Sequence, residues 1–268
     1  MWKSKYELLT FACDRGVLTV TFNRPQQLNA IDAALHTELS LLFGDMARDP
    51  SVRAIILTGA GRAFSAGGDL DWFRSMTREG LDTLFVEARR IIIDMLEVPQ
   101  PIIAAVNGPA TGLGATLALF SDIIYASEDA RIADTHVRAG IGAGDGGAII
   151  WPLLVGMARA KEFLFTGDSL SAAEAERLGL VNRVTSRAEL LPVATAMGRR
   201  LADGPQMAVR ATKASLNKLL RQVANLTLDT SLALEKECFH SDEHRECVQA
   251  FLEKRKPVFK FEDEEGAG

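Results

Sequence analysis

The stretch Phe64-Ser65-Ala66-Gly67-Gly68-Asp69-Leu70 follows the apolar run Ala54-Ile55-Ile56-Leu57-Thr58-Gly59, and this pair decides how the chain is read. A β-branched, strand-like run ends in glycines, and the chain then turns toward a helical segment. Such a turn leaves backbone N–H groups without partners and without side chains to shield them, so they can face an anionic oxygen. Taken alone, the segment is equally an ordinary strand-to-helix turn. A second apolar strand followed by glycines, Ile102 to Gly114, raises it above that. Two such turns can supply one N–H each to a single oxyanion.

Outward from these turns the pattern alternates. Val17 to Phe22 reads as a strand stopped by Asn23-Arg24-Pro25, and Asp32 caps a helix with Leu35, Leu39, Leu42, Phe43 and Met46 at helical spacing. Ala54 to Leu57 is a strand buried on both faces, and 81–96 is a helix ended by Pro99 and Pro101. Strands follow at 102–106 and 122–126, with a helix after Gly112 between them. Ser171-Ala172-Ala173-Glu174 is a capping box for a helix closing at Gly179, before a brief strand at 181–184. Helices are expected over 190–202, 205–221 and 226–254. The fold class is therefore α/β, with repeated strand–helix units and a helical C-terminal part.

With 268 residues the chain can bury a sizeable core, and 47% hydrophobic with 24% charged residues is the composition of a globular protein. A formal net charge of −5 and the lack of a Lys/Arg block argue against a nucleic-acid partner. The acidic end, Glu262-Asp263-Glu264-Glu265, reads as a solvated, frayed tail. No apolar run is long enough for a membrane span, and Met1 to Glu7 lacks the apolar core of a signal peptide. Three cysteines, Cys13, Cys238 and Cys247, make no disulfide framework, so a reducing cytoplasm is expected.

Several segments, in order, resemble the enoyl-CoA hydratase/isomerase (crotonase) superfamily. They are Asn23-Arg24-Pro25 with Leu28-Asn29-Ala30, the loop 64–70, Ile103 to Gly108, Ser121 to Ala126, Phe165-Thr166-Gly167 and Phe251 to Arg255. The resemblance implies a crotonase (ClpP-like) spiral of ββα units over 1–198. It also implies a helical region over 199–268 that serves a homotrimer, often a dimer of trimers. The implied substrate is an acyl-CoA thioester, with no metal and no cofactor beyond the coenzyme A it carries. Its enolate would be held by the N–H groups of Ala66 and Leu113, and losing one such donor typically costs about 2.7–4 kcal/mol. Leu113 stands where the family usually has glycine. Ala66, Gly67, Gly68, Asp69, Leu70, Leu113 and Gly114 would line the thioester path.

The departures from the family pattern concern the chemistry. Where a hydratase of this family holds water between two glutamates, this chain has Thr116 and His136. Thr116 is no base at neutral pH and suits helix packing or holding a water. His136 suits general acid–base work. Asp145, nine residues on within a Gly-Asp-Gly turn, either caps the next helix or folds back to orient His136, as in a triad without its serine. The pair resembles the branch typified by 6-oxocamphor hydrolase, which cleaves a β-diketone with water. His36 and Glu237 match that branch further, though a partly exposed His36 and a solvated or subunit-interface Glu237 are the plainer readings. Trp151 either lines an acyl pocket or packs in the core. Cys238, His240, His244 and Cys247 are read as a packing helix rather than a zinc site.

The leading expectation is thus an acyl-CoA enzyme of the hydratase/isomerase type with His136 and Asp145 replacing the glutamates. A retro-Claisen C–C hydrolase is the alternative. A crotonase-fold protein that has lost its chemistry and binds a partner is the reading from a different class.

Overall fold

The computed structural model describes residues 2–259; the acidic segment Glu262 to Glu265 lies outside the described residues. The chain opens on a hairpin of β1 (Leu9–Asp14) and β2 (Val17–Phe22). Its turn residues Arg15 and Gly16 have φ of 48° and 81°, the positive-φ pair that matches strand twist. The alternation in the sequence does not single out β1, because most of its residues are exposed on the sheet's outer edge.

From β2 inward the sheet is parallel, in the order β2, β3 (Ala54–Gly59), β4 (Ile102–Val106), β6 (Ile123–Ser127) and β9 (Arg183–Thr185). The run at 54–57 is fully buried because both faces are covered. Ile55 and Leu57 face the main core with α1 (Ala33–Arg48) and α3 (Arg78–Glu97). Ala54 and Ile56 face Leu190 and Ala194 of α8 (Arg187–Ala202). Caps set the boundaries: Asp32 accepts from Leu35 N–H at 2.9 Å, and Thr77 accepts from Gly80 N–H at 3.0 Å.

A second, small sheet runs through β5 (Ala110–Thr111), β7 (Arg131–Ala133) and β8 (Leu170–Ser171). Each turn of the chain lays one strand in the large sheet, a short one in the small sheet, then a helix. Thus β4 and β5 lead into α4 (Leu113–Leu119), and β6 and β7 into α5 (Gly147–Val155) and α6 (Met157–Thr166). The turn after β3 follows the same course, since Ser65 bridges Ala110 in parallel before α2 (Leu70–Arg74) begins. This is the expected spiral of ββα units, and it stacks the two glycine turns side by side.

The expected capping box is present at Ser171 and Glu174, opening α7 (Ala172–Leu178). The helical end differs from expectation. Helix α9 (Gln206–Cys238) runs unbroken through 222–225, where no glycine or proline interrupts it. The break comes instead at Phe239, and Ser241 caps α10 (Asp242–Leu252) by accepting from His244 N–H at 3.0 Å. The residue-198 boundary falls inside α8, and α9 packs back on α3. Among the described residues, no helix is long and apolar enough to cross a membrane.

Candidate active site

The loop 64–70 is held by hydrogen bonds that use up most of its donors. Ser65 Oγ donates to Asn29 O at 2.8 Å and accepts from Gly67 N–H at 3.2 Å. Asn29, at φ 56°, also donates its side-chain amide to Ala60 O and Ala63 O at 3.0 and 2.9 Å. The N–H of Ala66 donates to Leu28 O at 3.0 Å, and that of Asp69 to Ile31 O at 2.9 Å. Gly68 and Leu70 are left: among the described residues no acceptor stands against either N–H, Leu70 being the first residue of a short helix, and Gly68 is the unpaired amide within the glycine turn itself. This corrects the assignment of Ala66 as a donor, since its amide is already committed.

The second turn supplies the partner. Gly112, at φ 52°, opens α4, so Leu113 is the first residue of that helix and its N–H has no intrahelical acceptor. A Cβ on Gly112 would lie 3.7 Å from Gly67 Cα and 3.8 Å from His136 Cε1, so both turns and the imidazole meet at one point. Gly67 and Gly114, expected to line the substrate path, are packing glycines instead. Cβ atoms there would come within 2.6 Å of Thr111 O and 2.7 Å of Ser65 Cβ.

A cavity of about 640 Å³ opens beside these turns. Ala66, Gly68, Asp69, Leu70 and Leu113 line it, with His36, His136, Asp145 and Glu235 at its polar side and Trp72, Phe73 and Phe239 as aromatic walls. Trp151 is fully buried and packs against Phe163 at 5.7 Å, so it belongs to the core and not to the cavity.

His136 follows β7 and is clasped on both nitrogens. Nδ1 lies 2.6 Å from Asp134 Oδ1 and Nε2 lies 3.2 Å from Asp145 Oδ2. Asp145 does fold back onto the imidazole, but from the Nε2 side, and the Nδ1 partner is Asp134. Thr116, fully buried on α4, donates its hydroxyl to Asp145 Oδ1 at 3.1 Å. The glutamate reaching this group is Glu235, whose Oε1 stands 4.0 Å from His136 Nε2. Glu237 is exposed two residues further along α9. The helix register gives the reason: Ala224, Leu228, Leu232 and Glu235 share the buried stripe, at spacings that continue the core face. That stripe is visible in the sequence and would have found Glu235.

His36, expected at the margin, is buried on α1, with its ring 5.6 Å from that of Trp72. Its Nδ1 meets Glu87 Oε2 at 2.7 Å, a partner on α3 that periodicity alone does not reveal. On the far helix, His244 Nδ1 donates to Ala139 O at 2.7 Å and His240 is exposed. Among the described residues, no group of His, Cys, Asp or Glu is arranged to hold a metal ion.

These contacts fix the charges. Burial pushes His136 toward the neutral form, but the charges of Asp134 and Asp145 outweigh it and hold the imidazole protonated well above the usual range. Burial raises Asp145, yet the facing imidazolium and the Thr116 hydroxyl bring its carboxyl below the ordinary value. Glu235 is different. Burial, reinforced by Asp145 and Asp134, raises it well above the ordinary carboxyl range, so it stands protonated beside an ion cluster. The cavity is therefore lined by a protonated acid, a carboxylate and an imidazolium together with the two unpaired N–H groups of Gly68 and Leu113.

The enoyl-CoA hydratase/isomerase family model matches residues 12–262. A short-chain-enoyl-CoA hydratase of Clostridium acetobutylicum is 35% identical over 245 residues, covering 90% of this chain and 92% of that protein. An enoyl-CoA hydratase/isomerase structure from Mycobacterium paratuberculosis superposes with a TM-score of 0.87 at 38% identity, covering 90% of this chain and 97% of that one. A β-diketone hydrolase from the cyanobacterium Anabaena, bound to (S)-3-oxocyclohexyl acetic acid, superposes with a TM-score of 0.83 at 34% identity, covering 89% and 96%.

Proposed function

The chain belongs to the enoyl-CoA hydratase/isomerase family, and within it we propose that this protein is an enzyme that hydrolyses a carbon–carbon bond of a cyclic β-diketone, a retro-Claisen reaction. The observation that carries this reading is the buried set His136, Asp145 and Glu235 facing the free N–H groups of Gly68 and Leu113. A two-glutamate hydration site is replaced by a group suited to activating water and then protonating carbon. The likeness to a β-diketone hydrolase supports the same choice.

In the proposed reaction water adds to one carbonyl and gives its proton to the Asp145 carboxylate, while the two backbone N–H groups hold the new oxyanion. Collapse breaks the bond between that carbon and the carbon lying between the carbonyls. The electron pair moves onto the latter as the enolate of the remaining ketone. Glu235 protonates that carbon; the imidazolium, whose Nε2 stands 4.0 Å from Glu235, then gives its Nε2 proton to the Glu235 carboxylate, and Asp145, 3.2 Å from Nε2, passes to the ring the proton taken from water. The products are a carboxylic acid and a ketone, joined in one molecule when the diketone is cyclic.

A second reading, an acyl-CoA hydratase or isomerase with His136 and Asp145 as acid and base, is favoured by the Gly68–Leu113 donor pair, which suits a thioester carbonyl equally. Against it, Arg24 beside the loop is matched by Asp32 at 2.9 Å and Asp69 at 3.6 Å and brings no surplus positive charge to a polyphosphate. A binding protein without chemistry is disfavoured by the buried ionisable cluster, which binding alone does not need. The proposed assembly is a cytoplasmic homotrimer or dimer of trimers, supported by exposed Leu216, Leu219, Leu226 and Leu234 along α9.

The deciding experiment presents a cyclic 1,3-diketone and crotonyl-CoA separately and follows products by proton NMR. Ring opening to a keto acid, lost in Asp145→Asn, is the expected result. Hydration of crotonyl-CoA without diketone turnover overturns the proposal in favour of the second reading.

A further inference from the structure

Asp134 follows β7 directly and stands two residues before His136. Its Oδ1 accepts from the backbone N–H of His136 at 3.2 Å and meets the ring Nδ1 at 2.6 Å. We propose that Asp134 is a positioning residue that keeps a proton on His136 Nδ1 and thereby makes Nε2 the nitrogen that exchanges protons with Asp145 and Glu235.

A neutral imidazole carries one N–H, and a carboxylate oxygen held against Nδ1 makes that nitrogen the donor. The same oxygen grips the His136 backbone, so ring and main chain are aligned by one atom. The second oxygen, Asp134 Oδ2, is buried with no hydrogen-bond partner among the described residues. It occupies the space where a Cβ on residue 147 would come within 2.1 Å, so glycine at 147 is what admits the carboxylate. A buried carboxylate with one oxygen unpaired is costly unless a positive charge stands beside it, and the imidazolium supplies that charge.

Several elements packed around the ring contribute a charged group to this balance. Asp134 comes from just after β7, Asp145 from the glycine turn and Glu235 from α9. His36 of α1 acts on Asp145 across the cavity, and Arg138, which also lines it, is engaged by Asp168 at 3.2 Å. With Nδ1 engaged by Asp134, Nε2 is the ring nitrogen that faces both Asp145 and Glu235.

The inference deepens the proposed reaction, but its main test needs no substrate. In Asp134→Asn the amide oxygen must still face the two N–H donors, because an NH₂ there would set donor against donor. Geometry and tautomer are then kept while the charge is removed. Side-chain ¹⁵N NMR of His136 in the free protein is expected to show the wild-type imidazolium persisting above the ordinary histidine range. In Asp134→Asn the ring should lose its proton at lower pH, and its neutral form should carry hydrogen on Nδ1. On the diketone, the alkaline limb of the rate profile should fall earlier in Asp134→Asn with KM within about twofold. Asp134→Ala should lower kcat by about 10–100-fold, the range typical of a lost orienting partner, and asparagine should restore part of it. An unchanged His136 titration in Asp134→Asn, or a neutral ring protonated on Nε2, overturns the inference. The expected ¹⁵N behaviour without diketone turnover would leave the positioning role standing and sink only the proposed reaction.

Discussion

The N–H of Ala66 points at the carbonyl of Leu28, 3.0 Å away, and this single bond leaves the amide of Gly68, not that of Ala66, unpaired beside the cavity. The parallel bridge between Ile31 and Gly68 explains why. Ile31 takes the carbonyl of Gly67 and the N–H of Asp69, which are the ladder bonds of that pairing, and leaves the intervening Gly68 N–H turned to the other side. A loop rich in glycines announces that some amide is free. Which amide it is depends on the register against residues 28–31, a long-range pairing.

The Leu113 N–H offers a direct test of the donor pair. Leu113 is the first residue of α4, the helix position where proline is best tolerated. Leu113→Pro removes the N–H with little disturbance to the helix, whereas Leu113→Ala removes the side chain and keeps the N–H. The proline variant should lose about 10²–10³ in kcat, and the alanine variant should lose far less. Steady-state kinetics on whichever substrate is turned over checks this, with circular dichroism confirming the fold.

Thr116 should act through Asp145. Its hydroxyl is the hydrogen-bond donor to Asp145 Oδ1, and that bond helps to hold the carboxyl below its ordinary value. In Thr116→Val the acid limb of the rate profile should move to higher pH and kcat should fall by about tenfold or more, the loss expected for a hydrogen bond to a charged group. Thr116→Ser, which keeps the hydroxyl, should restore the wild-type limb. An unshifted acid limb in the valine variant would reduce Thr116 to a packing residue.

The sequence carries the large elements because their causes are local. Asp32, Thr77 and Ser171 cap helices with their own side chains, and the fully apolar runs at 54–57 and 102–106 have the pattern of strands covered on both faces. His136 and Asp145 are singled out by their places in the family pattern, while their contact, and their closeness to the glycine turns, come from the folded chain. The remaining members of the site are set by tertiary packing. Glu87 reaches His36 from α3, and Asp134 reaches Nδ1 through a bend that leaves no sequence mark. Trp151 is the opposite case: a large aromatic close in sequence to a candidate site is fully buried in the core, with its ring against Phe163.

Glu235 and Glu237 form a matched pair for mutagenesis on one helix. Glu235→Gln keeps the shape but cannot release a proton, so kcat should fall steeply while the fold is retained. Glu237→Gln changes an exposed side chain and should leave kinetics within about twofold, as surface substitutions usually do. Equal activity in both variants would remove Glu235 from the proton path.

The same cluster makes stability depend on pH, and each group has its own sign. His136 is protonated in the fold above its ordinary value of 6.5, so its contribution is complete below that pH and is lost as pH rises through the raised native value. Asp145 lies below its ordinary value of 3.8, so its contribution is present above that pH and is lost as pH falls through the native value. Glu235 is raised above its ordinary value of 4.5, so the native state binds a proton there that the unfolded state has released, and stability declines as pH climbs from 4.5 toward the native value. Together they place the cluster's greatest contribution in mildly acidic solution. Replacing Glu235 by glutamine removes one of the two declining contributions, so the variant should lose less stability than wild type between mildly acidic and alkaline pH. Urea denaturation at a series of pH values measures this, at about 1.4 kcal/mol for each pH unit over which one proton is differentially bound. Parallel stability curves for wild type and Glu235→Gln would mean that Glu235 is not held protonated by the fold, and the proposed proton donor would be lost with it.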